Sequence, residues 1–317
     1  MLSIVVPMLN EETNVREMYQ RCSKTMMDSA LTYEIIFVDD GSTDGTLKRL
    51  KEIASQDDKV KVLALSRNFG HQLAVTAGLE HALGDAVVVM DGDLQDPPEL
   101  ILDMIDKWRQ GYQVVYAKRR GRKGEGIFKK GTAFLFYRIL RLLTTTQVPT
   151  DTGDFRLLDR AVVDALKDIG ERNRFIRGLV SWVGFRQTGV EFQREERLSE
   201  RTKFPTRKMI RFALNAIFSF SDKPLKIATF LGVISSALGF VMILWGLYSK
   251  FFMPETTVRG WTSVFVAVLF LGGVQLFAIG IIGEYISRIY DESKGRPLYI
   301  VSEKVNCGKV ASHKKSL

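Results

Sequence analysis

Two stretches of the chain contain no Asp, Glu, Lys or Arg: residues 227–249 and 260–283. At about 1.5 Å of rise per residue, each is long enough to cross the ~30 Å hydrocarbon layer of a bilayer as a helix. A helix buried in a soluble core rarely runs this far without a charge, so both stretches read as membrane spans. Trp245, Tyr248 and Trp261 stand near span ends, where amphipathic rings favour the interface. Before the first span come Lys203, Arg207, Lys208, Arg211, Lys223 and Lys226, and after the second come Arg288, Lys294, Arg296 and Lys304. The connecting loop holds only Lys250, Glu255 and Arg259. Basic flanks face the cytoplasm, so the long N-terminal part and the tail at 284–317 are both expected there, in a multi-pass membrane protein.

The net charge of +9 over 317 residues makes an anionic surface attractive to the chain. With two spans, that surface is read as lipid, and no nucleic-acid partner is expected. Residues 201–226 interleave basic residues with Phe212, Leu214, Ile217, Phe218 and Phe220, the pattern of an amphipathic helix on anionic headgroups. Residues 127–144 mix aromatic and Leu side chains with Lys129, Lys130, Arg138 and Arg141; they suit either such an interfacial helix or an ordinary helix covering a sheet. Cys22 and Cys307 lie far apart and match no zinc or redox spacing, which favours a reducing compartment. The N-terminus has no basic n-region and reads as a strand, not a signal peptide.

Residues 1 to about 118 alternate short apolar runs (2–7, 33–39, 60–66, 86–91, 113–117) with helical patterns (12–29, 44–55, 71–83, 98–110). Near-continuous apolar strands separated by helices predict an α/β fold with a doubly wound, mainly parallel sheet covered on both faces. Such sheets bind ligands outside the carboxyl ends of their strands. Three runs end in carboxylates there: Pro7-Met8-Leu9-Asn10-Glu11-Glu12, Asp39-Asp40-Gly41 and Asp91-Gly92-Asp93. Side chains i and i+2 of a strand point to one side, so Asp91 and Asp93 are expected to converge. Hard oxygen ligands suit Mg²⁺ or Mn²⁺, which complete their shells with substrate phosphates. Neither Gly-x-Gly-x-x-Gly after the first strand nor a Walker A lysine loop is present, so a nucleotide's phosphates are expected on a metal.

These residues, with Ser66-Arg67-Asn68-Phe69-Gly70 and Thr152-Gly153-Asp154-Phe155-Arg156-Leu157, resemble the inverting nucleotide-sugar glycosyltransferases of the GT-A fold, family 2. Within that family the two spans and these motifs are most similar to polyprenyl-phosphate glycosyltransferases, closest to the bactoprenol glucosyltransferases of O-antigen modification. The resemblance implies a catalytic domain over residues 1–200 and transfer of a hexose from a nucleotide-sugar to undecaprenyl phosphate. Glucose from UDP-glucose is the choice from overall likeness; galactose, N-acetylglucosamine and an aminoarabinose derivative stay open.

The resemblance also implies roles. Pro7, Leu9, Asn10 and Glu11 fall where the family binds the nucleoside, with Asp40 and Asp39 beside them. Asp91, Asp93 and Gln95 match the divalent-ion and diphosphate ligands. Arg119 and Lys203 match phosphate contacts, although Glu200-Arg201-Thr202-Lys203 lacks the family's usual glycine. Asp154 matches an acid with an assigned base role. A phosphate acceptor already carries about −1.5 to −2 charges, so Asp154 either accepts a proton or orients a reactant. His71 reads as a helix-start polar residue. A homo-oligomer, a tetramer among the options, is the expected assembly. The rival from another class is a nucleotide-sensing membrane scaffold.

Overall fold

A computed structural model describes residues 1–119, 152–192, 223–252 and 261–307. Arg120, the 127–144 segment, Lys203 and most of the basic segment at 201–226 lie outside the described residues, as does the side chain of Arg119. The described chain falls into two compact units. One holds the N-terminal part together with the tail from Arg296; the other holds the apolar helices.

The first unit is built on β1 (Leu2–Met8), β2 (Tyr33–Asp39), β3 (Val60–Leu65) and β4 (Ala86–Val89). All residues of β1, β2 and β4 are buried, as expected of β-branched runs covered on both faces. The helices between them are α1 (Val15–Asp28), α2 (Thr46–Ala54) and α3 (His71–His81). The face of α1 that carries Val15, Met18, Cys22 and Met26 enters the core, a spacing of three and four residues that keeps one stripe inward. There follow α4 (Leu100–Arg109), β5 (Val114–Arg119), β6 (Thr152–Asp159), α5 (Arg160–Asp168), α6 (Ile176–Trp182) and β7 (Gln187–Phe192).

The sheet has eight strands in the order β7-β5-β6-β4-β1-β2-β3-β8, where β8 is Val301–Val305. Four pairings are parallel and three, β4 with β6, β5 with β6 and β3 with β8, are antiparallel. β1 lies between β2 and β4, so the strand order reverses there, and in open α/β sheets ligands bind outside the carboxyl ends of the strands at such a point.

Two expectations change here. β4 stops at Val89 and residues 91–93 form a turn, so strand alternation does not govern where Asp91 and Asp93 point. The region from 284 is not simply a tail. The second apolar helix runs on through it to Ser293, and β8 then adds to the sheet beside β3. Ser302 Oγ donates to Ala64 O at 3.0 Å, and the Asn306 amide donates to Ala54 O and Val60 O.

The second unit contains α7 (Lys223–Phe252) and α8 (Trp261–Ser293), which include residues 227–249 and 261–283 of the charge-free stretches and extend beyond them. Both are long and apolar enough to cross a membrane. Phe230, Trp245, Leu276 and Ile279 are each more than 60% exposed on them. Apolar exposure on that scale marks a surface that meets lipid or protein, not water.

Candidate active site

The charged groups of the site come from the seam between β4 and β6. β6 runs antiparallel to β4 with Arg156 opposite Val89, so its amino end reaches the edge where β4 finishes. Carried two residues further, that register sets Asp154 opposite Asp91. α3 starts at the same edge with His71. Gly92 lets the turn after β4 lie against the end of β1, because a Cβ there would collide with Met8 Sδ and sit 3.0 Å from Pro7 O.

His71 Nε2 lies 3.1 Å from Asp154 Oδ2 and 3.5 Å from Asp91 Oδ1. The Arg177 guanidinium forks onto Asp154, with Nε donating to Oδ1 at 2.7 Å and a terminal nitrogen to Oδ2 at 3.0 Å. Gln72 completes the group: its Oε1 accepts from Ile176 N at 2.9 Å, and its Nε2 stands 3.5 Å from Asp154 Oδ2. Arg156, buried on the same strand as Asp154, donates to Gly153 O at 2.9 Å.

The pKa directions follow from this crowding. Burial opposes ionisation of Asp154, yet the Arg177 charge and the bonds from His71 and Arg177 hold its carboxyl well below the usual range. Burial pulls His71 down, but the Asp154 hydrogen bond and the charges of Asp91 and Asp154 outweigh it and lift the imidazole to about 9. Burial pushes Asp91 up, against the pull of the His71 cation. In the metal-free protein these directions favour an anionic Asp154 beside a cationic His71 near neutral pH. An acid so strongly held has little capacity to take a proton.

The loops after β1 and β2 are laced to each other. Asn10 N donates to Ser42 Oγ, Glu11 N to Thr46 Oγ1 and Glu12 N to Asp44 Oδ2, while Thr43 N returns a bond to Asn10 Oδ1 and Gly45 N to Glu12 Oε2. Asn10 adopts a left-handed backbone at φ 54°. Asp40 is buried, and its carboxylate accepts from Phe69 N at 2.7 Å and Gly70 N at 3.0 Å, fixing the approach to α3. Gly41, at φ +70°, packs where a Cβ would press on the backbone of Arg67 and Asn68.

Of the sequence-derived set, Pro7 is buried in β1, Leu9 is half-buried and Asn10 is exposed. Asp39 is buried with Oδ2 accepting from Ser42 N at 3.3 Å. Asp93 Oδ1 accepts from Gln95 N at 3.2 Å. Gln95 is buried, and its Oε1 has no hydrogen-bond partner among the described residues. Asp91, Asp93 and this carbonyl oxygen are all hard oxygen donors, the chemistry that divalent cations such as Mg²⁺ and Mn²⁺ prefer. His71, Asp91 and Asp154 form an overlapping group whose ligand atoms lie within 4.8 Å of one another. Arg177 and Gln72 escaped sequence reading: Arg177 lies 23 residues beyond Asp154 in a segment without a clear period.

Comparison with known proteins identifies the family. The family model described as Glycosyl transferase family 2 matches residues 3–167, and that of the GtrB C-terminal hairpin matches residues 223–289. The chain is 52% identical over 301 residues to an uncharacterized glycosyltransferase, YkcC, of Bacillus subtilis (strain 168), covering 95% of this chain and 93% of that one. It is 42% identical over 300 residues to the bactoprenol glucosyl transferase of Shigella phage SfV, covering 95% and 97%. Identity is 40% over 300 residues with a prophage bactoprenol glucosyl transferase homolog of Escherichia coli (strain K12), covering 95% and 98%. A match over half the chain, joined to relatives that align along nearly all of it, places the chain in glycosyl transferase family 2, as a membrane-associated glycosyltransferase of GT-A fold.

Proposed function

We propose that this glycosyltransferase moves a glucosyl unit from UDP-glucose to undecaprenyl phosphate at the cytoplasmic face of a bacterial plasma membrane. The observation that carries the reading is the 42% identity to a bactoprenol glucosyl transferase, which runs through both the sheet unit and the apolar helices. β8 supports the topology. The chain leaves the sheet before α7 and rejoins it at β8, so helices that cross a bilayer between those points cross it an even number of times. With the free cysteines and the basic flanks, this favours a cytoplasmic sheet unit and cytoplasmic termini.

Asp91 and Asp93, with Gln95, are the residues to hold Mg²⁺ or Mn²⁺, which when bound supplies positive charge for the leaving diphosphate. The loops after β1 and β2, with Asn10, Glu11 and Asp39, are placed to take the nucleoside. Arg119 and Lys203 are proposed phosphate contacts. An acceptor phosphate oxygen, already anionic near neutral pH, attacks the anomeric carbon, and the bond to the diphosphate breaks on the opposite face. An α-configured donor then gives a β-linked lipid phosphate. Asp154 orients His71 and Arg177 at this edge, since its oxygens are already bonded to them.

The test is the full chain in detergent with undecaprenyl phosphate and a panel of UDP-glucose, UDP-galactose, UDP-N-acetylglucosamine and a nucleotide-linked aminoarabinose, with the lipid product weighed by mass spectrometry. A lipid gaining one hexose from UDP-glucose, lost on chelation, is the expected result. A product from another donor alone changes the sugar. Nucleotide binding without any transfer favours the scaffold reading.

A further inference from the structure

We propose that Arg177 and Gln72 are positioning residues of the transfer reaction, which together fix Asp154 and His71 at the catalytic edge. The inference deepens the proposed activity and rests on it. Asp154 is 8% exposed, so its carboxylate depends on protein donors for almost all its solvation. A two-point guanidinium fork fixes the plane of a carboxylate as well as its place, which a point charge cannot do. Arg177 sits in the first turn of α6, whose leading amide, Ile176 N, is among those a helix leaves without an internal partner. Gln72 takes that amide, and Gln72 follows His71 in α3.

One closed circuit of side chains therefore ties three elements: α6 through Arg177 to β6, β6 through Asp154 to His71 on α3, and α3 through Gln72 back to α6. His71 in turn reaches Asp91 beyond β4. Removing the fork leaves a buried carboxylate held on one side only. Asp154 then shifts, and His71 shifts with it. The loops after β1 and β2, proposed to take the nucleoside, have their own lacing, so nucleoside binding does not depend on the circuit.

The experiment compares Arg177→Lys, Arg177→Ala and Gln72→Ala in the full chain, measuring kcat, KM for lipid and uridine affinity. Arg177→Ala is expected to lower kcat about 100-fold, the scale of a misplacement near 1 Å, and to leave uridine affinity within about twofold. Arg177→Lys recovers little of this, because an ammonium cannot span both oxygens. Gln72→Ala lowers kcat about tenfold, as loss of a supporting hydrogen bond does. Added guanidinium ion restores part of the Arg177→Ala rate and does nothing for the parent enzyme.

A kcat within about threefold of the parent in Arg177→Lys overturns the proposal, since a lost fork at a reacting site costs far more. Uridine affinity falling in step with kcat, without guanidinium rescue, also overturns it, because that is the mark of a loosened fold. Should Arg177→Ala fail to fold, Arg177→Lys and Gln72→Ala decide. Parent enzyme that transfers no sugar to undecaprenyl phosphate refutes the proposed reaction instead, a result separate from these variant comparisons.

Discussion

The loops after β1 and β2 and the β4/β6 seam share one edge of the sheet but are held by different bonds. After β1 and β2, most bonds run between backbone amides and short side chains, Asn10, Ser42, Asp44 and Thr46, within two neighbouring loops. At the seam, the partners are whole charges from distant parts of the chain: His71 and Asp154 are 83 residues apart. The first arrangement makes a preformed floor that can receive a neutral base and ribose without rearranging. The second concentrates alternating charge, Asp91, His71, Asp154 and Arg177, at a partly exposed edge, so each group's state depends on its neighbours. On the proposed reading, a nucleoside on one side and phosphates on the other, the molecule gains from keeping these two kinds of bonding apart.

The sharpest way to break the comparison is Asp91→Asn. The substitution keeps the shape and removes one charge from the proposed cation site. Turnover is expected to fall on the order of 1,000-fold, as when a group that stabilises developing charge is removed. Uridine binding is expected to persist, because no bond of the β1 and β2 loops changes. Steady-state transfer rates beside calorimetric titration with uridine separate the two effects. A variant that loses both equally would merge the regions into one.

Asp40→Asn tests the other region and should act on order more than on chemistry. The Asp40 carboxylate is 2% exposed and accepts the amides of Phe69 and Gly70. Losing charge-assisted bonds to buried backbone donors costs about 1–3 kcal/mol. The expected readout is faster hydrogen exchange at those two amides, with a lowered unfolding midpoint for the chain. Unchanged protection there would mean the loop is held by its packing against Gly41 instead.

How much of this could be read in advance follows the same division. β1 and β2 were legible because Ile4, Val5 and Val6, and Ile35 to Val38, form unbroken apolar runs that only a sheet covered on both faces accommodates. The long charge-free helices were legible from length alone, although α8 outlasts its charge-free stretch by ten residues, from 283 to Ser293, an extension that carries Glu284, Arg288, Asp291 and Glu292. β8 was not legible. Its Ser302, Glu303 and Lys304 are exposed, as suits an edge strand, and its partner β3 lies more than 200 residues earlier. At the site, Asp91 announces itself by ending an apolar strand. The meeting of His71, Asp154 and Arg177 does not, because it depends on the β4/β6 register, and nothing local in the sequence sets that register. Asp40 could be placed at its strand end, but its bonds to Phe69 and Gly70 depend on how the loop after β3 folds back.

The smallest expected effect is also the one that most directly probes the seam's charge. His71 is raised from an ordinary 6.5 to about 9, burial pulling it down and the Asp154 bond with the Asp91 and Asp154 charges prevailing. A group whose pKa is higher folded than unfolded stabilises the fold fully below the unfolded value and loses that contribution as pH rises through the folded one. For chelated, metal-free protein the window is therefore about pH 6.5 to 9. The unfolding midpoint is expected to decline across it, and His71→Gln, which cannot gain the charge, should flatten that decline. The His71 side chain is 38% exposed, so solvent screens part of the interaction and the difference between the two curves is modest. Parallel curves for the two proteins would mean that His71 is neutral beside Asp154. The seam would then be held by Arg177 alone, a direct bond between fixed charges, and its dependence on its neighbours' protonation would disappear.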